Sequence, residues 1–291
     1  MSPETGEQVA AVTAEVLRSA RYRWVAPDLV SRLAAQSLAV SPRPARRVDS
    51  PPQRPPRLAD AVKRTKRRLH QICGAFVQDV RPEATVADLR AALERDGPAG
   101  LRAACRVALA RHASTRERLP DLEAFYPAIF AHTGEPRSIL DLACGLGPLA
   151  WPWMGLPPSI QYSACDVDKR LVQLVDGFLA LLDVPHVVQL RDVVARPPRE
   201  PVDVALLLKG APCLDQQSRG ASRRLLEALS ARHVALSYPN RSLGGAAKGM
   251  VAHYRAHLEG MLAGTGWEVA TVPFSSETVY VLSRARRAAP G

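Results

Sequence analysis

The segment at residues 139–147 constrains the fold of this chain more than any other. It reads Ile-Leu-Asp-Leu-Ala-Cys-Gly-Leu-Gly, so a short apolar stretch leads into a turn of small residues. A buried strand that ends in such a turn lets a ligand approach the backbone, and N–H groups of a following helix can face that ligand. A second apolar run ends in Asp166, about 20 residues further on, where a Rossmann-like fold places a ribose-binding carboxylate. These features predict a site for a nucleoside cofactor.

The glycines of this turn fit two classes of cofactor. Gly145, Gly147 and Ala150 satisfy the dinucleotide pattern G-x-G-x-x-G/A, so an NAD(P)-dependent dehydrogenase is one alternative. Asp141 favours the other class, because a carboxylate beside the turn would repel a diphosphate and attract a cationic amino-acid group. S-adenosylmethionine carries such a group. We therefore expect S-adenosylmethionine to be the cofactor.

Composition limits the class of protein and its location. A chain of 291 residues that is 47% apolar can bury a full core, and its length fits two domains. It has no apolar run of membrane length, and its first residues lack the features of a signal peptide. Its five cysteines include no C-x-x-C pair. We therefore expect a cytoplasmic protein with no membrane segment and no metal site.

The net charge of +11 is spread unevenly along the chain. Residues 1–132 hold 22 Lys and Arg against 14 Asp and Glu, whereas residues 133–291 hold 17 against 14. An Arg-rich proteome would explain the mean charge but explains this clustering less well. The excess predicts that residues 1–132 bind a polyanion. Its densest run forms one face of a predicted helix, at Lys63, Arg64, Lys66, Arg67 and Arg68.

Apolar periodicity divides the chain into two parts. Residues 1–132 show helical spacing and no strand pattern, which together with their charge predicts an all-helical, basic, polyanion-binding domain that includes a Pro/Arg-rich segment at 41–57. Its predicted helices are 9–20, 27–38, 58–80, 85–95, 100–112 and 122–132. Residues 133–291 alternate strand and helix, and two strands joined by a short connection end the pattern. The predicted strands are 138–142, 161–165, 187–191, 202–208, 233–237, 268–273 and 278–283.

This alternation predicts an α/β fold with a Rossmann-like class I methyltransferase sheet and a terminal antiparallel hairpin, preceded by the all-helical N-terminal domain. The terminal hairpin is typical of S-adenosylmethionine-dependent methyltransferases and not of dehydrogenases. The hairpin and Asp141 therefore favour the same cofactor.

Several longer motifs resemble one known family. They are 111–119 (Arg-His-Ala-Ser-Thr-Arg-Glu-Arg-Leu), 141–148 (Asp-Leu-Ala-Cys-Gly-Leu-Gly-Pro), 206–209 (Leu-Leu-Leu-Lys) with 212–214 (Pro-Cys-Leu), 237–245 (Ser-Tyr-Pro-Asn-Arg-Ser-Leu-Gly-Gly) with 248–250 (Lys-Gly-Met), and 275–278 (Ser-Ser-Glu-Thr). The chain resembles, over nearly its whole length, the aminoglycoside-resistance 16S rRNA (guanine-N7) methyltransferases of antibiotic-producing actinomycetes. The Arg/Ala-rich composition fits such a source.

The resemblance implies an activity and a partner. A member of this family transfers a methyl group from S-adenosylmethionine to N7 of guanine 1405 in the decoding site of 16S rRNA, within the assembled 30S ribosomal subunit. That modification confers resistance to kanamycin- and gentamicin-type aminoglycosides. A catalytically inactive RNA-binding protein with a degenerate methyltransferase fold is the remaining alternative, although the intact Asp141, Asp166 and Asp192 argue against it.

The resemblance also implies which residues bind the cofactor. Asp166 would accept the ribose hydroxyls, and Asp192 would accept the adenine amino group. Arg118 suits bidentate capture of the carboxylate at the methionine end. The other implied cofactor contacts are Phe76, His112, Ala113, Ser114, Asp141, Ala143, Gly145, Val193, Leu208 and Gln217.

Four residues are expected at the target base. Guanine N7 carries a free lone pair and loses no proton on attack, so the reaction needs orientation and exclusion of water more than a general base. Glu277 would hold the guanine edge, and Lys209 would contact RNA or order the lip of the pocket. Arg241 and Met250 would contact phosphate and support a base that has left its stack.

Overall fold

The computed structural model of the chain describes residues 3–39, 58–73, 80–240 and 250–284. The predicted Pro/Arg-rich segment at 41–57 lies outside the described residues, as do the predicted site residues Phe76 and Arg241.

The described residues form seven strands in the order expected from the sequence, and helices that depart from expectation at three places. The helices are α1 Pro3–Leu17, α2 Pro27–Ala39, α3 Leu58–Cys73, α4 Pro82–Leu109, α5 Ala113–Arg118, α6 Leu122–Thr133, α7 Trp151–Met154, α8 Lys169–Leu181, α9 Ala211–Gln217, α10 Ala221–Ala228 and α11 Met250–Leu262. The strands are β1 Ser138–Leu142, β2 Gln161–Asp166, β3 His186–Leu190, β4 Val202–Leu208, β5 Ala231–Pro239, β6 Trp267–Pro273 and β7 Glu277–Arg284.

The strands form one mixed sheet in the order β3-β2-β1-β4-β5-β7-β6. The first five strands pair in parallel, and β7 runs antiparallel between β5 and β6. The strand order reverses at β1, because β2 lies on one side of it and β4 on the other. Ligands of open α/β sheets bind at such a switch point, beyond the carboxyl ends of the strands. The predicted Rossmann-like methyltransferase sheet with its terminal hairpin is therefore confirmed.

Helices cover both faces of the sheet, which is why its central strands are apolar almost throughout. On one face, Ile139 of β1 packs in a core that includes Phe178 and Leu179 of α8. On the other face, Leu140 of β1 packs in a core that includes Leu225 of α10. The alternation of neighbouring residues along β1 thus divides its side chains between two layers.

The helical region preceding the sheet packs as two groups. Helices α1, α2 and α3 share a core of their own, in which Val12, Leu33 and Leu69 are fully buried. Helices α4 and α6 instead share a core with the sheet, through residues such as Leu109 and Phe125. The division into domains at residues 132 and 133 stays a prediction, but the packing gives α1–α3 a core distinct from the two cores of the sheet.

Helix α4 replaces two predicted helices, 85–95 and 100–112. It runs from Pro82 to Leu109 with a kink at Gly97, whose φ of 62° and ψ of −152° are not helical. This backbone conformation is essentially restricted to glycine. The short helices α5 and α9 had no predicted counterpart, because six or seven residues do not display a helical period.

The kink provides a test of the α4 geometry. Gly97→Ala should lower the free energy of unfolding by about 1–3 kcal/mol, because alanine is strained in this conformation. Gly260→Ala in α11 is the matched control, since a Cβ there would meet nothing within 4 Å. That control should stabilise the protein by about 0.5–1 kcal/mol. Urea denaturation of both variants measures the difference, and a stabilised Gly97→Ala protein would contradict the kink.

Candidate cofactor and target site

A cleft opens beyond the carboxyl ends of the parallel strands. The predicted site residues that line it are His112, Ser114, Ala143, Gly145, Asp166, Asp192, Val193, Leu208, Lys209 and Gln217. The helical region also supplies part of its wall, through Val25 before α2 and Ile72 of α3. The cleft therefore brings together most of the residues that the sequence predicted for the cofactor.

The glycine turn after β1 forms the floor of the cleft. Ala143 and Gly145 have φ angles of 50° and 55°. A Cβ on Gly145 would lie 3.3 Å from Cε1 of His112, so this position requires a glycine for the close approach of the two segments. The Gly145 N–H donates to Oδ2 of Asp166 over 2.9 Å, which ties the turn to the end of β2.

Asp166 is fixed by backbone donors on both of its oxygens. Its Oδ1 accepts from the Asp168 N–H over 2.9 Å, and its Oδ2 accepts from the turn. Burial raises the pKa of Asp166, although these N–H groups oppose the shift. Each carboxylate oxygen keeps a second acceptor site, so the group can accept hydroxyls of a ribose.

Asp192 and Gln217 lie together on one wall of the cleft, and both contact Arg32. The Nε of Arg32 donates to Oδ2 of Asp192 over 2.7 Å, and its Nη2 donates to Oε1 of Gln217 over 2.6 Å. The Val194 N–H donates to the other oxygen of Asp192 over 3.0 Å. Arg32 was not predicted from the sequence, because a polar helix position 160 residues from Asp192 carries no local signal of this contact.

Arg118 and Glu277 form a buried bidentate ion pair, at 2.8 and 3.0 Å. Their side chains are only 4% and 0% exposed, and neither residue lines the cleft. The roles expected for Arg118 at the methionine carboxylate and for Glu277 at the guanine edge stay predictions, and in this structure each side chain is directed to the other. His112 and Ser114, just before Arg118 in the chain, are the residues that do line the cleft.

Lys209 stands at the cleft on a strained backbone, with a φ of 58°. Its Nζ lies 2.8 Å from Oε2 of Glu117 and 3.6 Å from Oε1 of Glu277. Its backbone N–H donates to Oγ of Ser237 over 2.9 Å. Glu117 was also missed as a functional candidate, since only the fold brings α5 beside the end of β4. The arrangement holds one ammonium group at a defined place on the cleft.

Asp141 lies behind the glycine turn and does not line the cleft. It is 2% exposed and accepts a hydrogen bond from the Tyr162 hydroxyl over 3.0 Å. Burial raises its pKa to about 7, although Tyr162 and Arg118 oppose the shift. The expected attraction of a cationic ligand by Asp141 stays a prediction, and in this structure its carboxyl group lies beneath the turn.

Two further expected contacts also lie off the cleft. Ala113 is buried at the start of α5, and Met250 is half-buried at the start of α11. His112 is the one predicted site histidine, and burial together with Arg118 lowers its pKa to about 4. A neutral imidazole beside the turn suits a ligand with a positively charged centre, because it adds no repulsive charge.

Within the described ranges, no helix is long and apolar enough to cross a membrane. No group of three or more His, Cys, Asp or Glu side chains in that part of the chain is arranged to hold a metal ion.

The fold and the cleft together define a class of protein. The glycine turn allows a ligand to approach the backbone closely. Asp166 at the end of β2 can accept the hydroxyls of a ribose, and Asp192 after β3 can accept an amino group. S-adenosylmethionine carries both a ribose and an adenine amino group. The antiparallel β6–β7 hairpin accompanies this site. The protein is a Rossmann-like S-adenosylmethionine-dependent methyltransferase.

Known proteins that are similar to this chain identify its family among the methyltransferases. The family of ribosomal RNA methyltransferases (FmrO) matches residues 18–281. The chain is 38% identical over 280 residues to the 16S rRNA (guanine(1405)-N(7))-methyltransferase of Micromonospora echinospora, covering 96% of this chain and 97% of the relative. It is 40% identical over 281 residues to the enzyme of the same description from Frankia casuarinae, covering 96% and 94%. The chain belongs to the FmrO family of ribosomal RNA methyltransferases.

Solved structures agree with this assignment. The 16S rRNA methyltransferase RmtF, in complex with S-adenosyl-L-homocysteine, superposes with a TM-score of 0.76 at 31% identity, covering 96% of this chain and 99% of that one. The 16S rRNA methylase RmtB superposes with a TM-score of 0.72 at 29% identity, covering 95% and 98%. The dehydrogenase alternative is therefore wrong.

The raised pKa of Asp141 gives a prediction about stability. Because the folded state keeps a proton that the unfolded state releases, this group makes folding less favourable as the pH rises from 3.8 towards about 7. Asp141→Asn removes that dependence and keeps an acceptor for Tyr162. The difference in free energy of unfolding between variant and parent should therefore grow in the variant's favour by about 1–3 kcal/mol as the pH rises from 5 to 8. Urea denaturation at several pH values measures this gain, and parallel pH profiles would contradict the assignment.

Proposed function

We propose that the protein is a 16S rRNA (guanine(1405)-N(7))-methyltransferase that acts on the assembled 30S ribosomal subunit in the cytoplasm. The observation that carries the proposal is similarity over nearly the full length to several enzymes of that description. The chemistry of the cleft supports the same activity, because it provides acceptors for an adenosyl cofactor and keeps its one predicted histidine neutral.

The cofactor is S-adenosylmethionine, which supplies a methyl group on a positively charged sulfur. Asp166 accepts the ribose hydroxyls, and Asp192 accepts the adenine amino group while Val193 offers its backbone N–H. Leu208 packs against the adenine face, and Gln217 closes the same end. The remaining contacts surround the methionine end, at His112, Ser114, Ala143 and Gly145.

The target guanine is proposed to enter beside Lys209. N7 attacks the methyl group with its own lone pair, so no residue has to remove a proton, and the rate depends on alignment and exclusion of water. Glu277 acts through Arg118 and Lys209 rather than by touching the base, because its oxygens are already engaged. Arg241 and Met250 remain proposed contacts for phosphate and for the displaced base.

The rRNA is proposed to dock on α1–α3, the helices that pack separately from the sheet. Only part of the predicted basic face of α3 is directed outward. Lys63 and Arg67 are exposed, whereas Arg64 donates to the Ser37 carbonyl and Arg68 to the Gln217 carbonyl. Lys63 and Arg67 are therefore the better candidates for phosphate contacts.

Asp166 provides a direct test of cofactor binding. Asp166→Ala should weaken S-adenosylmethionine binding by about 2–3 kcal/mol, because hydrogen bonds to a charged acceptor are lost. Asp176→Ala is the matched control, since Asp176 lies on α8 with a side chain 59% exposed. Isothermal titration calorimetry gives both affinities, and circular dichroism checks the fold. A folded Asp166→Ala variant that binds as tightly as the parent would refute the ribose assignment.

The substrate is tested by transfer of tritiated methyl groups. Assembled 30S subunits should be methylated far better than naked 16S rRNA, because a rigid helical surface recognises folded RNA by its shape and phosphates. The Asp166→Ala variant serves as the inactive control. Equal activity on naked rRNA and on 30S subunits would contradict docking on the assembled particle.

Resistance is the expected consequence in cells. A methyl group on N7 removes a major-groove acceptor and adds a positive charge, which repels polycationic drugs that contact this face. Expression in a susceptible bacterium should confer high resistance to kanamycin and gentamicin and should largely spare neomycin.

The same assay tests two site residues. Lys209→Ala and Glu277→Ala should reduce resistance more than cofactor affinity, and Lys169→Ala, an exposed lysine of α8, is the control. Minimum inhibitory concentrations are read beside calorimetric affinities. Full resistance in both variants would remove Lys209 and Glu277 from the target side.

A further inference from the structure

Arg32 of α2 reaches from the helical region into the cofactor wall of the cleft. Its guanidinium donates to Asp192 over 2.7 Å and to Gln217 over 2.6 Å. Arg32 does not line the cleft itself, whereas both of its partners do. It therefore stands behind the two groups that face the adenine end of the proposed cofactor.

The contacts determine how those two groups are presented. Asp192 is 1% exposed, and one oxygen is held by Arg32 while the other accepts from the Val194 N–H, so the plane of the carboxylate is set. An arginine can only donate, so the amide oxygen of Gln217 is the atom directed to Arg32. The Gln217 amino group is then the part of the amide that Arg32 leaves unengaged.

The rest of the interface holds α2 against the same edge of the sheet. The Ala26 N–H donates to the Val167 carbonyl over 2.8 Å, next to Asp166. Asp28 accepts from Arg196 over 2.6 Å and from the Asp192 N–H over 3.2 Å. These contacts attach α2 to the sheet domain without touching the Asp192 carboxylate.

One atom of Arg32 is left without a partner. Among the described residues, its Nη1 is buried and makes no hydrogen bond. A buried donor without a partner is costly, and such groups are concentrated where function requires them. The guanidinium is therefore placed so that it binds Asp192 and Gln217, although one of its own N–H groups is left without an acceptor.

We propose that Arg32 is a positioning residue for adenine recognition, by which α1–α3 orient the base-binding groups of the sheet domain. The inference rests on the proposed cofactor function of the cleft. Its consequence is that the proposed rRNA-docking helices also set the affinity for the cofactor, through Asp192 and Gln217.

The test compares two ligands on the full-length chain by isothermal titration calorimetry. One is S-adenosylhomocysteine, and the other is its 6-deamino analogue, which has hydrogen in place of the adenine amino group. Arg32→Gln should weaken S-adenosylhomocysteine binding by about tenfold or more, since it disturbs the acceptor of that amino group. The analogue should lose less than about threefold, because it makes no bond to Asp192.

Arg196→Gln is the matched control. It removes an arginine from the same interface, where Arg196 pairs with Asp28, but leaves the Asp192 carboxylate and Gln217 untouched. Its affinity for both ligands should equal that of the parent. Arg32→Lys, which keeps the charge but cannot donate to both partners, should give an intermediate loss and replaces Arg32→Gln if that variant fails to fold.

The outcomes separate the inference from the function on which it rests. Unchanged affinity in the Arg32 variants overturns the inference, and so does an equal loss for both ligands, which would show a role in domain packing alone. Failure of the parent chain to bind S-adenosylhomocysteine would instead refute the proposed cofactor function, and the inference with it.

Discussion

The buried carboxylate of Glu277 organises the part of the molecule around Lys209, where the target guanine is proposed to enter. Burial alone would raise its pKa, but Arg118, Lys209 and Ser237 together hold that pKa below its usual value. An isolated buried charge is costly, so each partner is required once Glu277 is in place. The result is that β7, α5, the end of β4 and β5 meet at one point, and Lys209 is held at the cleft despite its strained backbone.

The wall of the cleft that is proposed to hold the cofactor depends on a second set of contacts, which cross from the helices to the sheet. Arg32, Asp28 and Arg68 all bind groups at the carboxyl edge of the sheet. Helices α1–α3 have their own core, so these polar contacts are a principal link between that unit and the cleft. These contacts connect a surface proposed to dock on RNA with residues proposed to bind the cofactor, and the connection needs no conformational change.

The sequence predicted local features well and long-range pairings poorly. Strands β1 and β4 have the predicted bounds, because short, predominantly apolar segments mark buried parallel strands. Asp166 was predicted from its place after the second apolar run and Asp192 from the family resemblance, and both line the cleft. The pair of Arg118 with Glu277 joins residues 159 positions apart, and neither periodicity nor motif spacing encodes such a contact. The same reason explains why Arg32 and Glu117 were missed.

The central claim is that this cleft delivers a methyl group to N7 of one guanine in 16S rRNA. The most direct measurement is mass-spectrometric mapping of 16S rRNA from a susceptible bacterium that expresses the protein, beside rRNA from cells that express Asp166→Ala. The account predicts a single added methyl group on the guanine that the relatives' description numbers 1405, absent from the variant. A methyl group at another nucleotide, or none at all, would contradict it.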